Sequence, residues 1–239
     1  MEKVIAVFVG EGEARRNPAV CVERIHQRLA PVVAGLTVHI SGGALRTDLL
    51  TDSNLYDARI YCAISAWIDA VETADELYEM LEFMPGERAI YSVVESVPRE
   101  YTRIDWRVGQ ASPGVTLLAL FRRKPGLLSD QFQGRWENHS VLSLRIHPLS
   151  RYHRNRVVRR IVGPGEEWDG IVEERVGSIE DLAPERFYIG GVEDRAWAAL
   201  DIAEFIDVRS GMKCNLLSEF ILKLPPWLEG CASTAASSR

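Results

Sequence analysis

The sequence has few cysteines, and none of them falls in a metal-binding motif. The four cysteines of the 239-residue chain are widely scattered, and no C-x-x-C pair occurs. Spacing of this kind excludes the common zinc sites, and a chain of this length does not depend on disulfides for its stability. We therefore predict no metal site and reduced thiols, as is typical of a cytoplasmic protein.

Positive charge and long apolar runs are also scarce. The chain has 28 Lys and Arg against 34 Asp and Glu, a formal net charge of −6, whereas a nucleic-acid-binding face is normally basic. No apolar run approaches the roughly 20 residues that span a bilayer, and the apolar run in residues 1–10 is too short for a signal peptide. The sequence therefore predicts a cytoplasmic protein with no nucleic-acid partner and no membrane partner.

What the sequence does contain is a repeated order of strands and helices. In the first half, apolar alternation and amphipathic periodicity predict strand 3–10, helix 18–34, strands 36–40 and 58–67, helix 73–83 and strand 88–97. This is the β-α-β-β-α-β order of a ferredoxin-like unit. Thr73 and Glu76 have the spacing of a capping box at the start of the second helix.

The second half repeats this order about 110 residues later. Its predicted elements are strand 115–121, helix 129–144, strands 149–162 and 169–174, a helical region over 179–200 and strand 213–222. We predict an α+β fold of two ferredoxin-like halves, residues 1–110 and 111–224, whose sheets cover each other. Residues 225–239 form a low-complexity tail that we expect to be mobile.

The first helix of the second half carries the most informative pattern in the sequence. Phe132, Trp136, His139 and Ser143 fall at i, i+4, i+7 and i+11, which places them on one face of the helix. A histidine therefore lies on the aromatic side that a helix normally turns toward its sheet. Because imidazole titrates near neutrality, His139 is a candidate general acid–base. The alternative is a core histidine held by a backbone carbonyl.

The same stretch resembles the EthD domain. The run Arg122–Leu127, RRKPGL, is followed in order by Phe132 and Trp136, by His139, by Tyr152 and Asn155, and by Asp169-Gly170, much as in the family wording K-x-G-L…F-x-x-Y-W…H-x-P-L…Y…N…D-G. The resemblance covers about residues 114–222. It departs from the family at two positions, where Arg135 replaces the Tyr before the Trp and Val141 replaces the Pro after the His.

The resemblance implies a fold and a functional half. EthD domains belong to the dimeric α/β-barrel superfamily, so the chain would be a tandem fused form, an intramolecular dimeric α/β barrel that could itself form a homodimer. His139 would be the catalytic residue in the second half. The first half has Leu29 at the position that matches His139, so we expect it to be a scaffold.

The resemblance also implies substrate contacts near His139. The candidates are Phe132, Trp136, Tyr152, Asn155 and Asp169. Strand alternation predicts that Tyr152 and Asn155 face opposite ways unless a bulge intervenes. Asp169 either holds a turn or orients His139. The adjacent acids Glu173 and Glu174 are expected to be mostly solvated.

These features predict a small enzyme that needs no cofactor. It would act as a lyase, isomerase or cyclase, by proton transfer on a small, largely apolar substrate that is aromatic or polyketide-like. Two other functions are open: a ligand-binding or accessory protein of a catabolic pathway that does not catalyse a reaction, and an oxygenase with or without haem.

Overall fold

The computed structural model describes residues 1–10, 17–42 and 55–231, with side chains to residue 228. The eight strands in these residues are β1 Glu2–Val9, β2 Gly35–Ile40, β3 Ile60–Ile68, β4 Glu87–Arg99, β5 Val115–Phe121, β6 Leu149–Val162, β7 Gly170–Val176 and β8 Met212–Lys223. The α-helices are α1 Pro18–Leu29, α2 Ala74–Met80, α3 Ser129–Ile146, α4 Pro184–Phe187 and α5 Val192–Phe205.

The strands form one closed antiparallel barrel in the order β1-β3-β2-β8-β5-β7-β6-β4. Each half contributes four consecutive strands of this ring, which confirms the predicted α+β fold of two ferredoxin-like halves. The closed ring also confirms the predicted intramolecular barrel, in which the two sheets do more than cover each other. They join edge to edge, with β2 on β8 and β4 on β6, and this pairing satisfies backbone groups that an open sheet leaves exposed.

Strand alternation separates two environments. Outward-facing side chains pack under the helices and form one apolar core in each half. Inward-facing side chains fill the barrel, where part of the filling is apolar and part is charged. The helices therefore cover the outer face of the barrel.

The charged part of the barrel interior is an ion-pair network. Lys3 Nζ on β1 lies 2.7 Å from Glu95 Oε1 on β4 and 3.2 Å from Glu173 Oε1 on β7. Strand β7 is not a neighbour of β1 in the ring. His153 lies between two carboxylates, with Nδ1 2.8 Å from Glu95 and Nε2 2.9 Å from Glu100. Both ring nitrogens of His153 therefore face carboxylate oxygens. The network ties β1, β4, β6 and β7 together.

Two local predictions differ from the structure. Thr73 does not cap α2, because its hydroxyl donates to Ala70 O at 2.9 Å within a 3-10 turn that precedes the helix. The segment after β8 packs on the barrel instead of being mobile from residue 225. Trp227 meets Trp67 edge-on at 5.4 Å between ring centroids, and Leu228 is buried. The rest of the predicted tail, residues 232–239, lies outside the described residues.

The segment between the halves crosses one end of the barrel. Tyr101 donates from its hydroxyl to Glu219 Oε1 at 2.7 Å, and Ser112 N donates to Glu219 O at 2.9 Å. The stretch predicted as a linker is therefore anchored on β8. Among the helices in the described part of the chain, none is long and apolar enough to cross a membrane.

Candidate functional site

A cavity of about 170 Å³ lies in the second half, between its sheet and helices α3 and α5. Its walls are mostly apolar and rich in aromatic rings. Among the residues that line it are Phe121, Trp136, His139, Tyr152, Glu174, Phe187, Tyr188 and Phe205. A cavity of this character suits a small flat molecule with few polar groups.

The aromatic wall is a connected set of rings. Trp136 meets Phe121 edge-on, with 4.9 Å between centroids, and the ring of His139 lies 5.4 Å from that of Phe205. Tyr152 is fully buried, and its hydroxyl lies 3.3 Å from Ser140 Oγ. Burial raises the pKa of the Tyr152 hydroxyl, so this group stays protonated at neutral pH. The wall is therefore rigid and uncharged at these positions.

His139 lines the cavity, but both of its ring nitrogens have protein partners. Nδ1 lies 2.7 Å from Asp201 Oδ2 on α5, and Nε2 lies 3.1 Å from Ser143 Oγ one turn along α3. Burial lowers the pKa of His139, and the Asp201 carboxylate opposes this shift. The Asp–His–Ser order is that of a nucleophilic triad. Ser143, however, is fully buried and does not line the cavity, so it cannot reach a substrate there.

Glu174 is the acidic group of the cavity wall. It lies on β7 directly between its cross-strand neighbours Leu117 and Tyr152, which also line the cavity. No residue in the described ranges forms a hydrogen bond or ion pair with its carboxyl group. Burial raises the pKa of the Glu174 carboxyl to about 7. The cavity thus contains an unpartnered carboxyl that can both hold and accept a proton near neutral pH.

The prediction that Glu173 and Glu174 are solvated is wrong. Both lie on β7, where alternation turns Glu173 into the barrel and Glu174 into the cavity. One face of β7 points into the barrel and the other lines the cavity under α3 and α5, so neither acid lies on an open surface.

The structure brings together three of the predicted site residues. Trp136, His139 and Tyr152 line the cavity. Phe132 packs behind them against Phe121 and Phe205 as part of the apolar core.

Two predicted site residues lie elsewhere. Asn155 points into the barrel, where its Nδ2 donates to Glu173 Oε1 at 3.2 Å, because the strand runs without a bulge from Arg151 through Asn155. Asp169 accepts from Arg123 N at 2.9 Å at the end of β5, so it holds a turn and does not orient His139. The acid beside His139 is Asp201.

Sequence reasoning missed Glu174 and Asp201 for different reasons. Alternation from Tyr152 or from Asp169 could have placed Glu174, had β7 been recognised as covered on both faces. Asp201 carried no usable signal, because its contact with His139 depends on how α3 and α5 cross.

Within residues 1–10, 17–42 and 55–110, the first half has no matching set of polar groups under its helices. The space between its sheet and α1 is packed with fully buried apolar side chains, including Phe8, Ile25 and Leu29. It nevertheless contributes to the cavity of the second half. Leu55 lines that cavity, held by the backbone bond from Cys214 N to Leu55 O at 2.8 Å.

No protein-family model and no curated protein matches this sequence. Solved structures do match its fold. An anthrone oxidase-like protein superposes with a TM-score of 0.59 at 10% sequence identity, over 93% of this chain and 94% of the other. A proposed monooxygenase from Fusobacterium nucleatum superposes with a TM-score of 0.52 at 9% identity, over 93% of both chains. Chlorite dismutase from Candidatus Nitrospira defluvii superposes with a TM-score of 0.43 at 9% sequence identity, over 90% of both chains.

These likenesses extend over nearly the whole of each chain. The first two agree with the closed barrel of two ferredoxin-like halves, and the chain has the dimeric α/β-barrel fold in a single polypeptide. At such low identity they concern the fold alone. The finer resemblance to EthD domains is not among them.

Proposed function

We propose that the protein is a cofactor-independent oxygenase acting on a small aromatic compound with an acidic C–H bond. The substrate would bind in the second-half cavity, where a base removes the proton and the resulting carbanion reacts with O₂. The observation that carries this proposal is the unpartnered Glu174 carboxyl in an apolar, aromatic-walled cavity.

Glu174 has the properties that this base requires. A general base works best when its pKa lies near the working pH, and burial raises that of Glu174 to about 7. The aromatic walls would hold a flat substrate beside the carboxyl and keep water away from the carbanion. Removal of a C–H proton is easier when the charge spreads over an adjoining carbonyl and ring, so the substrate should be enolisable.

The reaction balances without a bound redox group. The carbanion gives its electrons to O₂ and forms a C–O bond, and the peroxide oxygen takes back the proton held by Glu174. Loss of water from this hydroperoxide leaves a ketone. Overall, a CH₂ group and O₂ give a C=O group and H₂O, and Glu174 ends in its starting state.

His139 has a different role in this proposal. Because Asp201 and Ser143 occupy its two ring nitrogens, it would position α3 against α5 at the cavity wall. The same arrangement does not fit a haem, whose iron would need a free imidazole nitrogen. The sequence-based hypothesis that His139 is the acid–base remains a prediction, and variants of both residues separate the two assignments.

The fold likeness to an anthrone oxidase-like protein suggests the first substrate to test, because anthrone has an acidic CH₂ group between aromatic rings. Purified protein, treated with a chelator, would be mixed with anthrone in an oxygen electrode. We expect O₂ uptake above the spontaneous rate, with one ketone formed per O₂. Replacement of Glu174 by Gln should lower turnover about 10²-fold or more. Uptake equal to the protein-free control would refute the proposal.

A lyase or isomerase is the second candidate, because the same carboxyl can move a proton without O₂. It predicts turnover under argon, whereas the oxygenase predicts none. A binding protein without activity predicts saturable binding of an aromatic ligand and no turnover in either atmosphere.

A further inference from the structure

The cavity wall contains no Lys and no Arg among the described residues that line it. Basic side chains near α3 are directed elsewhere. Arg135 pairs with Glu204 on the surface, and Arg145 lies over the ring of Trp197, 5.4 Å from its centroid. Arg154 approaches Trp136 at 5.5 Å from the groove outside the cavity. A ligand in the cavity therefore meets no cationic side chain.

His139 does not replace the missing cation. Burial lowers its pKa, which favours the neutral ring at physiological pH, and its nitrogens already have Asp201 and Ser143 as partners. Glu174 is the one Asp or Glu among the described residues that line the cavity. The charge that the cavity can acquire is consequently negative.

An anionic ligand would be penalised twice in this cavity. It would lose its hydration without gaining a counter-ion, which is unfavourable for a buried charge. It would also lie close to a second carboxylate, and two like charges in an apolar site cannot both remain ionised at low cost. A neutral carbonyl or hydroxyl group avoids both penalties and can share a hydrogen bond with Glu174 in either of its protonation states.

We propose that the cavity selects uncharged aromatic carbonyl or hydroxyl compounds and rejects their carboxylated counterparts, with Glu174 as the residue that determines this specificity. The inference rests on the proposed function in one respect, which is the choice of a neutral ligand over a cationic one. An ammonium group would suit the aromatic rings and the carboxylate, but it would hold Glu174 in an ion pair and prevent it from accepting a substrate proton.

Three one-ring probes of similar size test the inference by binding alone: acetophenone, benzoate and benzylammonium. Affinities would be measured by calorimetry at about pH 8, where Glu174 is largely ionised. The proteins would be the wild type, Glu174→Gln and Glu204→Gln. Glu204 is a matched control, since it is an acid near the site whose carboxylate pairs with Arg135 at the surface and does not line the cavity.

We expect acetophenone to bind the wild type at least about tenfold more tightly than benzoate, and benzylammonium, which can pair with the ionised Glu174 carboxylate, to bind Glu174→Gln more weakly than the wild type. The Glu174→Gln variant should bind benzoate at least about tenfold more tightly than the wild type does, and Glu204→Gln should bind all three probes as the wild type does. The inference is overturned if benzoate matches acetophenone in the wild type, if benzylammonium binds Glu174→Gln as tightly as the wild type, or if none of the probes binds. Selective binding of acetophenone together with no O₂ uptake would retain the selectivity and reject the oxygenase.

Discussion

Glu173 and Glu174 are consecutive in the sequence and lie in two different interiors. Glu173 lies in the barrel, where Lys3 Nζ approaches its carboxylate to 3.2 Å, and its pKa is held low by this and other positive charges. Glu174 lies in the cavity under α3 and α5, and burial raises its pKa to about 7. The two pKa shifts are opposite because the Glu173 carboxyl has cationic partners and the Glu174 carboxyl has none among the described residues.

The first prediction concerns the pH dependence of stability. Burial raises the pKa of the Glu174 carboxyl from its ordinary value of 4.5 to about 7, so the folded state holds the proton more tightly than the unfolded state. The stabilisation that the protonated Glu174 carboxyl provides is fully present below its unfolded-state pKa. It is lost as pH rises from about 4.5 to about 7. Glu174→Gln should remove this loss and be more stable than the wild type at about pH 8. Urea unfolding across the pH range checks this, with Glu204→Gln as the control.

The opposite pH dependence of stability is expected for the ion-pair network inside the barrel. Burial opposes ionisation of Glu95, but Lys3 and His153 outweigh it and lower its pKa from 4.5 to about 2. This contribution is present above the unfolded pKa and is lost as pH falls from about 4.5 to about 2. The Lys3→Met substitution should weaken this stabilising contribution, because it removes a buried ion-pair partner of Glu95 and Glu173. We expect an acid unfolding midpoint at higher pH, measured by circular dichroism. An unchanged midpoint would mean that the ion pairs do not stabilise the barrel.

Turnover and melting temperature, measured together, distinguish His139 from Glu174 as the catalytic base. If Glu174 is the base, His139→Gln should lower the melting temperature and reduce turnover by less than about tenfold, because an amide retains the contact with Asp201 but not the fit of the ring. Glu174→Gln should lose about 10²-fold or more without a loss of stability. The opposite result, a large loss of turnover in His139→Gln and a small one in Glu174→Gln, would support His139 as the acid–base, as the sequence predicts.

Division of the chain is expected to expose strand edges. In a fragment of residues 1–110, β2 would lose its partner β8, and β4 would lose its partner β6. Because unpaired edges and a bare inner face promote association, the fragment should aggregate when expressed alone, as size-exclusion chromatography would show. Co-expression with residues 111–239 should restore solubility. A stable monomeric first half would contradict this expectation.

The sequence by itself determined the order of elements and the repeat. Val115–Phe121 and Leu149–Val162 agree with their predicted bounds, because apolar alternation is a local property that a short window reveals. The helix face of Trp136 and His139 was likewise readable, since helical periodicity follows from spacing alone.

Tertiary structure decided how those elements meet. Whether two sheets stack or join at their edges depends on pairing between β4 and β6, which lie far apart in the chain, and no local pattern encodes it. The same holds for the partner of His139, which is Asp201 on a distant helix rather than Asp169. It holds also for Glu174, because an acid on a strand is read as solvated until helices are known to cover it. Charge, burial and proximity depend on the packed surroundings of a residue, and those are set by contacts between segments remote in sequence.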